Sequence, residues 1–465
     1  MNKVDTLGKL KEAGYKPLGV KAEMRKNLIQ KMLDRESLFP GIYGFEDTVI
    51  PQVQNALLAG QDMIFLGERG QAKTRLIRSL TSLLDPWVPY VEGSEINDDP
   101  LNPISKYAID LLNQEGDDTP VAWLAREDRY SEKLATPDVT APELIGEVDP
   151  IKVAEGRYLS DELVIHYGLV PRTNRGIFCI NELPDLSEKL QVGLFNVMQE
   201  RDVQIRGFRA RLPLNICVVA SANPEDYTNR GRIITPLKDR YGAEIRTHYP
   251  RNIATEIDIM EAERSPLLDG DSFQVTVPRF MKEIVAEITN LARHHGDINQ
   301  RSGVSVRMSI ANYESLISNA LRRALLLREE EAVPRISDLP ALLPSSNGKI
   351  ELETVEEGKE GDIIAELTRQ AVRKVFNHNF DVSALADLLE YFGLGQSLEV
   401  SDTMPTAAYK QKAKEVTGLT KPMQRLGCAK SPALMASGLE FILEGLHLNK
   451  KLNKKVIEGE ISYWG

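Results

Sequence analysis

The chain has 465 residues, of which 27% are charged and 42% hydrophobic, and its formal net charge is −11. This acidic balance argues against general attraction to nucleic acid or anionic lipid, and no segment approaches the roughly 18 apolar residues that a membrane span needs. The length predicts several domains with at least one large core.

Cysteine usage and the N-terminal sequence both predict a cytoplasmic protein. The three cysteines, Cys179, Cys217 and Cys428, lack the spacing of a metal site, and two of them lie in apolar runs. Buried free thiols in a reducing compartment are therefore expected. The first residues, MNKVDTLGKLKEAGYK, contain no apolar core of signal-peptide length.

Helices alternate with short apolar strands over the first half of the chain. Residues 1–44 mix basic and apolar positions, as in KAEMRKNLIQKMLDRESLF, which predicts short amphipathic helices. The helical VIPQVQNALLAG then precedes the strand MIFL, the loop GERGQAKT, the helical LIRSLTSLL and the strand candidate VPYVEG. Farther on come the strands IFCI, ICVVAS and AEIRTHY, with the helical LSEKLQVGLFNVMQE between the first two. The alternation predicts an α/β fold in which helices cover both faces of a mostly parallel sheet.

The remaining chain divides by composition. The stretch from Asp98 to Arg175 is long for one crossover connection, so we interpret it as an insertion with its own strands. From residue 252 to about 330 the pattern is helical without a strand, as in RFMKEIVAEITNLARHH. The predicted division is an N-terminal helical segment (1–44), an α/β domain (45–251), a helical domain (252–344), an acidic linker (345–362) and a C-terminal helical region (363–465).

The loop GERGQAKT matches the phosphate-loop pattern G-x-x-x-x-G-K-[ST], except that Ala72 replaces the glycine before the lysine. Backbone N–H groups of such a loop and the start of the next helix bind phosphate. Lys73 is expected to reach the outer phosphates and the Thr74 hydroxyl to ligate Mg²⁺. Alanine at position 72 is tolerable if its backbone φ stays negative. The alternative is a chance glycine turn. The candidate binding residues are Gly67, Glu68, Arg69, Gly70, Gln71, Ala72, Lys73, Thr74 and Arg75.

Asn181 and Glu182 follow the apolar strand IFCI, at the strand end where α/β sheets place ligands. Glu182 is placed to orient or deprotonate an attacking water. Asn181 stands where nucleotide-hydrolysing proteins normally have an aspartate that helps hold Mg²⁺. Its amide oxygen can accept a hydrogen bond from a metal-bound water but carries no charge, so we expect weakened metal binding.

Three further polar residues are candidates by position. Asn223 follows the strand ICVVAS, where its amide could hold the lytic water opposite Glu182. Arg240, in ITPLKDRYG, is either a surface charge paired with an acid or an arginine supplied to a neighbouring subunit's γ-phosphate. Arg307, in SVRMS, opens a helix and is either an exposed helix-terminal charge or a contact to the same nucleotide.

These elements, in this order, resemble an AAA+ ATPase of the branch that holds the MoxR ATPases and the magnesium-chelatase I subunit. The resemblance covers about residues 41–330. It implies a P-loop parallel sheet between helices, an insertion in the second helix of the domain, a second hairpin and a helical lid at 252–344. It depends on the segments PGIYGFEDTVIPQVQNALLAG, GERGQAKTR, LATPDVTAPELIGEVDP, GIFCINELPDL, VQIRGFRARLP, VVASANPEDY and TPLKDRYG.

The resemblance also implies roles and partners. Lys73 and Thr74 correspond to the Walker A pair, Glu182 to the Walker B glutamate, Asn223 to sensor 1, Arg240 to the arginine finger and Arg307 to sensor 2. ATP and Mg²⁺ are the implied cofactors. A homo-oligomeric ring, commonly a hexamer, is implied because the finger comes from the next subunit, as is a partner with a von Willebrand A-type domain. Bacterial enhancer-binding activators share this core, but this sequence lacks their GAFTGA-type loop and C-terminal helix-turn-helix signature.

Three functions are compatible with these residues. The first is an ATPase motor that remodels or activates a partner protein during assembly or metal insertion. The second is a nucleotide-dependent ring scaffold with little hydrolysis, which Asn181 favours. The third is the motor subunit of a true porphyrin metal chelatase, because fold and motor likeness do not determine the substrate.

Overall fold

The computed structural model describes residues 3–149, 151, 154, 162–200, 212–224, 232–266, 273–300, 302–353, 359–457 and 459–465. The chain forms two compact units, Met1–His248 and Tyr249–Gly465. This differs from the five-part division predicted from the sequence. The N-terminal segment belongs to the first unit, and the segments predicted as lid, linker and C-terminal region together form the second. No helix of the described residues is long and apolar enough to cross a membrane.

A parallel sheet forms the centre of the first unit, which confirms the predicted α/β fold. Its five strands lie in the order β4-β7-β8-β1-β9, and every neighbouring pair is parallel. The register places Leu66 at the end of β1 beside Ala222 of β8 and Arg246 of β9. The strand bounds are β1 Met63–Leu66, β2 Trp87–Val91, β3 Val121–Ala125, β4 Tyr130–Leu134, β5 Gly146–Val148, β6 Ile165–Tyr167, β7 Ile177–Asn181, β8 Cys217–Ala222 and β9 Ala243–Arg246.

Two strand predictions need correction. The candidate VPYVEG forms β2, but β2 pairs antiparallel with β3 outside the central sheet. The stretch interpreted as an insertion contains β4, which is an edge strand of the central sheet and pairs with β7. The sequence YSEKL lacks the apolar run of a central strand because an edge strand is only partly covered. The small antiparallel pair of β5 and β6 agrees with the expectation that this stretch carries strands of its own.

Alternate residues of the central strands pack against helices on opposite faces. On β7, Ile177 and Cys179 join one core cluster, and Phe178 and Ile180 join the other. Asn181 therefore lies on the same face as Cys179, which is the face covered by the helix Lys73–Ser79. The α-helices of the first unit are Leu7–Glu12, Val20–Leu33, Val49–Leu58, Lys73–Ser79, Lys106–Glu115, Ala141–Leu144, Leu169–Arg172, Glu188–Glu200 and Thr235–Arg240.

The second unit has one continuous hydrophobic core. That core runs from Ile257 through Phe376 to Tyr463, so the C-terminal region packs with the helices before it. The helix Lys359–Asn379 begins inside the predicted linker. The other α-helices are Ile253–Glu263, Arg279–Ala292, Arg307–Leu327, Leu343–Asn347, Ala386–Gly393, Thr406–Glu415, Thr420–Arg425 and Pro432–Leu448.

The second unit also contains strands that the sequence analysis did not predict. A short parallel pair forms within and just after the stretch predicted to be free of strands, from β10 Gln274–Val275 and β11 Glu331–Ala332. Three antiparallel strands in the order β12-β14-β13 lie in the region predicted to be helical. Their bounds are β12 Ser397–Ser401, β13 Asn453–Ile457 and β14 Glu460–Trp464.

Candidate nucleotide site

The predicted phosphate loop connects β1 to the helix Lys73–Ser79. The Gly67 N–H donates to the Ala222 carbonyl at 3.2 Å, and the Thr247 N–H donates to the Leu66 carbonyl at 2.8 Å. A Cβ on Gly67 would lie 1.9 Å from Thr247 Oγ1 and 2.3 Å from Gln71 Oε1. Glycine is therefore required at position 67 by this close approach, which anchors the loop between β8 and β9.

The backbone of the loop is left-handed at two positions. Gly70 has a φ of +76° and Ala72 a φ of +55°. The condition under which alanine was considered tolerable at this position, a negative φ, is therefore not met. The chain must reverse before the helix, whose first backbone bonds include one from the Leu76 N–H to the Ala72 carbonyl at 2.9 Å. An alanine in this conformation costs about 1–2 kcal/mol relative to the right-handed region.

Lys73 connects the loop to the end of β8. Its ammonium donates to the carbonyls of Gly67 and Glu68, the latter at 2.8 Å, and to Asn223 Oδ1 at 2.7 Å. Two candidates that are 150 residues apart in sequence are thus in direct contact. Lys73 is half-buried and Asn223 is buried, so the ammonium lies in a sheltered position at the carboxyl ends of the strands.

A cleft of about 380 Å³ opens beside the loop. Two cationic side chains that the sequence analysis did not single out, Lys238 and Arg246, line it together with Gly67, Glu68 and Gln71. Both cations approach Glu244, at 3.0 Å from Lys238 and 3.3 Å from Arg246. Burial by itself raises the pKa of Glu244, but these cations bring that pKa below its ordinary value. Lys238 lies in the helix Thr235–Arg240 and Arg246 is the last residue of β9, and no sequence motif connected them with the loop.

Gln71 supports the loop, and the other polar side chains of this segment differ in exposure. Gln71 is buried, and its Oε1 accepts a hydrogen bond from Thr247 Oγ1 at 2.8 Å. Thr74, the second residue of the helix, is half-buried. Arg69 and Arg75 are exposed.

The Asn181 amide is fully engaged at the end of β7. Its Nδ2 donates to Glu132 Oε1 on β4, and its Oδ1 accepts from Ser221 Oγ on β8 at 3.0 Å. The Cys179 thiol also lies 3.6 Å from Oδ1. The amide oxygen that was expected to receive a metal-bound water therefore already accepts a hydrogen bond from Ser221.

Glu132 is a carboxylate that the sequence analysis missed. The Arg78 guanidinium binds it with two hydrogen bonds, at 2.8 and 3.0 Å, and the Tyr130 hydroxyl donates to it at 2.9 Å. Burial by itself raises the pKa of Glu132, but Arg78, Tyr130 and Asn181 hold that pKa below its ordinary value. It lay within the supposed insertion, so nothing in the sequence connected it with Asn181.

Glu182 begins a tight turn directly after β7. Its φ is +54°, and its N–H donates to Ser221 Oγ at 3.3 Å. The side chain is half-buried. Ser221 thus contacts both residues of the Asn181–Glu182 pair and links them to the strand that carries Asn223.

The two candidate arginines lie elsewhere. Arg240 ends the helix Thr235–Arg240, where it contacts Gln199 and Asp239 and lies 5.3 Å from the Phe195 ring. Arg307 is exposed at the start of the helix Arg307–Leu327 in the second unit. The predicted hairpin VQIRGFRARLP lies mostly outside the described residues.

Comparisons with known proteins show what the chain is similar to. Residues 159–237 match the family described as the Sigma-54 interaction domain. The chain is 27% identical over 239 residues to the magnesium-chelatase 38 kDa subunit of Cereibacter sphaeroides, an alignment that covers 50% of this chain and 66% of that subunit. It is 21% identical over 377 residues to the magnesium-chelatase subunit ChlI of Euglena gracilis, covering 75% of this chain and 100% of ChlI.

Among solved structures, the chain is similar to one in a cryo-EM-based model of the complex between subunits BchI and BchD of magnesium chelatase. The sequence identity is 21% and the TM-score 0.35, over 70% of this chain and 98% of that one.

Proposed function

We propose that the chain is an AAA+ ATPase, since it is similar to subunits of magnesium chelatase, and that it binds ATP with Mg²⁺ and hydrolyses it to remodel or activate a partner protein. The contact between Lys73 Nζ and Asn223 Oδ1, 2.7 Å long, is the observation that carries this proposal. It joins the phosphate loop to the end of the neighbouring strand, where a γ-phosphate and an attacking water would meet.

The loop residues perform the binding step. Lys73 gives up its carbonyl and amide acceptors for phosphate oxygens, which accept stronger, charge-assisted hydrogen bonds. Gly67 and Gly70 let the backbone N–H groups approach the phosphates closely. Lys238 and Arg246 add positive charge to the wall of the cleft.

Hydrolysis needs a water molecule in position to attack the γ-phosphate, and two residues hold it there. Glu182 accepts a proton from the water or orients it, and Asn223 fixes the water from the adjacent strand. Their common neighbour Ser221 holds the turn at Glu182 through the backbone N–H.

The described residues fit a magnesium ion that arrives with the nucleotide. They contain no group of three or more His, Cys, Asp or Glu side chains that could hold a metal ion. Mg²⁺ is commonly bound by phosphates, waters and only one or two protein groups. Thr74 and Asn181 are the protein groups that we propose for this role. When bound, Mg²⁺ neutralises charge on the phosphate oxygens.

Assembly into a ring, commonly a hexamer, is part of the proposal. Arg240 ends a surface helix and is itself exposed, as an arginine offered to a neighbouring subunit must be. A partner with a von Willebrand A-type domain and a cytoplasmic location remain proposals. The three cysteines are buried free thiols, which supports a reducing compartment.

ATP turnover in Glu182→Gln tests the catalytic step. We expect turnover to fall by about 10²–10⁴-fold, because the variant keeps the shape of the side chain but loses the base. Glu188→Gln, at an exposed position in the following helix, is the matched control and should keep turnover. Equal turnover in the wild type and in Glu182→Gln would contradict hydrolysis at this site.

A mixing experiment tests the ring. Lys73→Ala and Arg240→Ala should each be inactive alone, for want of the lysine or of the neighbour's arginine. In a mixed ring, some interfaces combine an intact lysine with an intact arginine, so turnover should partly return. No recovery in mixed rings of confirmed composition would contradict an arginine supplied by the neighbour.

The engaged amide of Asn181 favours a second candidate, a ring scaffold that binds ATP but scarcely hydrolyses it. Asn181→Asp separates the two. A large gain in ATP turnover without a gain in cellular function would favour the scaffold. A third candidate is the motor of a porphyrin metal chelatase, which the names of the two magnesium-chelatase relatives support. An assay of metal insertion into porphyrin would test it.

A further inference from the structure

Glu132 and Asn181 lie on the same face of two neighbouring strands. Glu132 of β4 is opposite Cys179 of β7, and Asn181 follows Cys179 by two residues. Because alternate strand residues share a face, the Glu132 carboxylate lies diagonally beside the Asn181 amide. A hydrogen bond from Asn181 Nδ2 to Glu132 Oε1 joins them.

This bond determines which way the amide points. With Nδ2 directed to β4, the Oδ1 atom faces β8, where it accepts from Ser221 at 3.0 Å. β8 is also the strand beside β1 and the phosphate loop. The amide oxygen therefore faces the nucleotide side of the sheet, and the amide nitrogen faces away from it.

Arg78 and Tyr130 hold the carboxylate in place without removing its charge. Arg78 reaches it from the helix that follows the phosphate loop, with hydrogen bonds of 2.8 and 3.0 Å. The Arg78 side chain is 63% exposed and Glu132 only 20%. Glu132 is therefore held as a carboxylate within its ion pair with Arg78, and its oxygens lie beside the Asn181 amide.

We propose that Glu132 is a positioning residue for the nucleotide-bound Mg²⁺, and that the Glu132–Asn181 pair does the work of the single aspartate normally found at position 181. Glu132 orients the amide oxygen towards the metal and supplies the missing charge from the next strand. This inference depends on the proposed ATP site and concerns how that site retains Mg²⁺.

A charge transposition tests the pair. The measurement is the Mg²⁺ concentration that half-saturates binding of a non-hydrolysable ATP analogue, together with the affinity for the analogue in EDTA. For Glu132→Gln we expect the Mg²⁺ requirement to rise about tenfold, as for other residues that orient metal ligands, while the affinity in EDTA is unchanged. The double variant Asn181→Asp/Glu132→Gln keeps one carboxylate and one amide in contact, and should return the requirement to the wild-type value or below.

The controls separate positioning from folding. Glu143→Gln removes a carboxylate of the same unit that is ion-paired with Lys133, and should leave the Mg²⁺ requirement unchanged. If Glu132→Gln does not fold, Arg78→Gln takes its place, because it frees the Glu132 carboxylate from its cation: a lower Mg²⁺ requirement supports the proposal, and an unchanged one contradicts it. A wild-type requirement in Glu132→Gln, or no recovery in the transposed pair, would overturn the role of Glu132 alone. A wild-type protein that does not bind the analogue with Mg²⁺ would overturn the proposed function and this inference together.

Discussion

Each unit of the molecule buries charged side chains, but the two clusters differ in their surroundings. In the first unit, the Glu132–Asn181 pair lies at the carboxyl ends of parallel strands, next to the strand that contacts the phosphate loop. In the second unit, Arg335 and Asp338 are 0% and 1% exposed and lie among packed helices. The first cluster lies at the ends of strands, whereas the second is enclosed by helices.

The second cluster connects helices to one another. Arg323 binds Asp338 at 2.9 Å, and the same carboxylate accepts the Arg335 N–H at 2.7 Å. Glu440, on the last helix, accepts from the Ser337 N–H at 2.8 Å and from the Tyr409 hydroxyl. Buried charge by itself therefore does not identify a functional site. Convergence with a ligand-binding loop at strand ends is the feature that distinguishes the first unit.

Arg335→Met should give the largest effect. The buried Arg335 guanidinium lies 3.6 Å from Glu329 Oε1, and its removal takes compensating charge away from that carboxylate. The free energy of unfolding of the second unit should therefore fall by about 3–5 kcal/mol. Urea unfolding followed by Trp464, in a background with Trp87 and Trp123 replaced by phenylalanine, measures it. Arg279→Met, whose side chain is 82% exposed, is the control and should change little. If Arg335→Met lost ATP binding while its free energy of unfolding stayed unchanged, the distinction between the two clusters would be contradicted.

Lys73→Met should show the opposite behaviour. The loss of charge-assisted bonds to phosphate, worth about 1.5–3 kcal/mol, should weaken ATP binding by about 10- to 150-fold with little loss of stability. Calorimetric titration measures the affinity. Lys106→Met, which replaces another lysine that opens a helix, should leave ATP binding intact. If Lys73→Met unfolded the first unit instead, Lys73 would be a structural residue like Arg335.

The second cluster should respond to pH through Glu440. Burial raises the pKa of Glu440 above its ordinary value of 4.5, despite the opposing attraction of Arg335. The folded state then holds this proton more tightly than the unfolded state, so the contribution of Glu440 to stability falls as pH rises above 4.5. Glu440→Gln should make the loss of stability between that pH and neutrality shallower. If Glu440→Gln left the slope of stability against pH unchanged, or if the exposed Glu399→Gln altered that slope equally, the role of Glu440 would be contradicted.

Ala72→Gly should give the smallest effect, and it should raise the free energy of unfolding of the first unit where most substitutions lower it. Relief of the left-handed strain exceeds the extra entropy of glycine in the unfolded chain, so the first unit should gain about 0.5–1 kcal/mol. Ala59→Gly, at a helix end with a φ of −83°, should lose a similar amount. Urea unfolding followed by Trp87 and Trp123 measures both. A loss of stability in Ala72→Gly would show that the loop is not strained there.

The central strands could be predicted because each is a short apolar run bounded by turn residues. The edge strand β4 could not, because YSEKL has no such run and is recognised only through its pairing with β7. The left-handed conformation of Ala72 could not be predicted for a related reason. The conformation of that residue follows from the path of the loop between β8 and β9, not from its own preference.

The amino-acid sequence alone determined the alternating α/β pattern, the phosphate loop and the polar residues after the strands β7 and β8, since each depends on neighbours in the chain. Only the tertiary structure decided that Glu132 is the partner of Asn181, that Lys73 meets Asn223, and that the segments after residue 249 share one core. Those facts depend on which distant segments lie side by side, and packing and hydrogen bonding across the sheet select that arrangement.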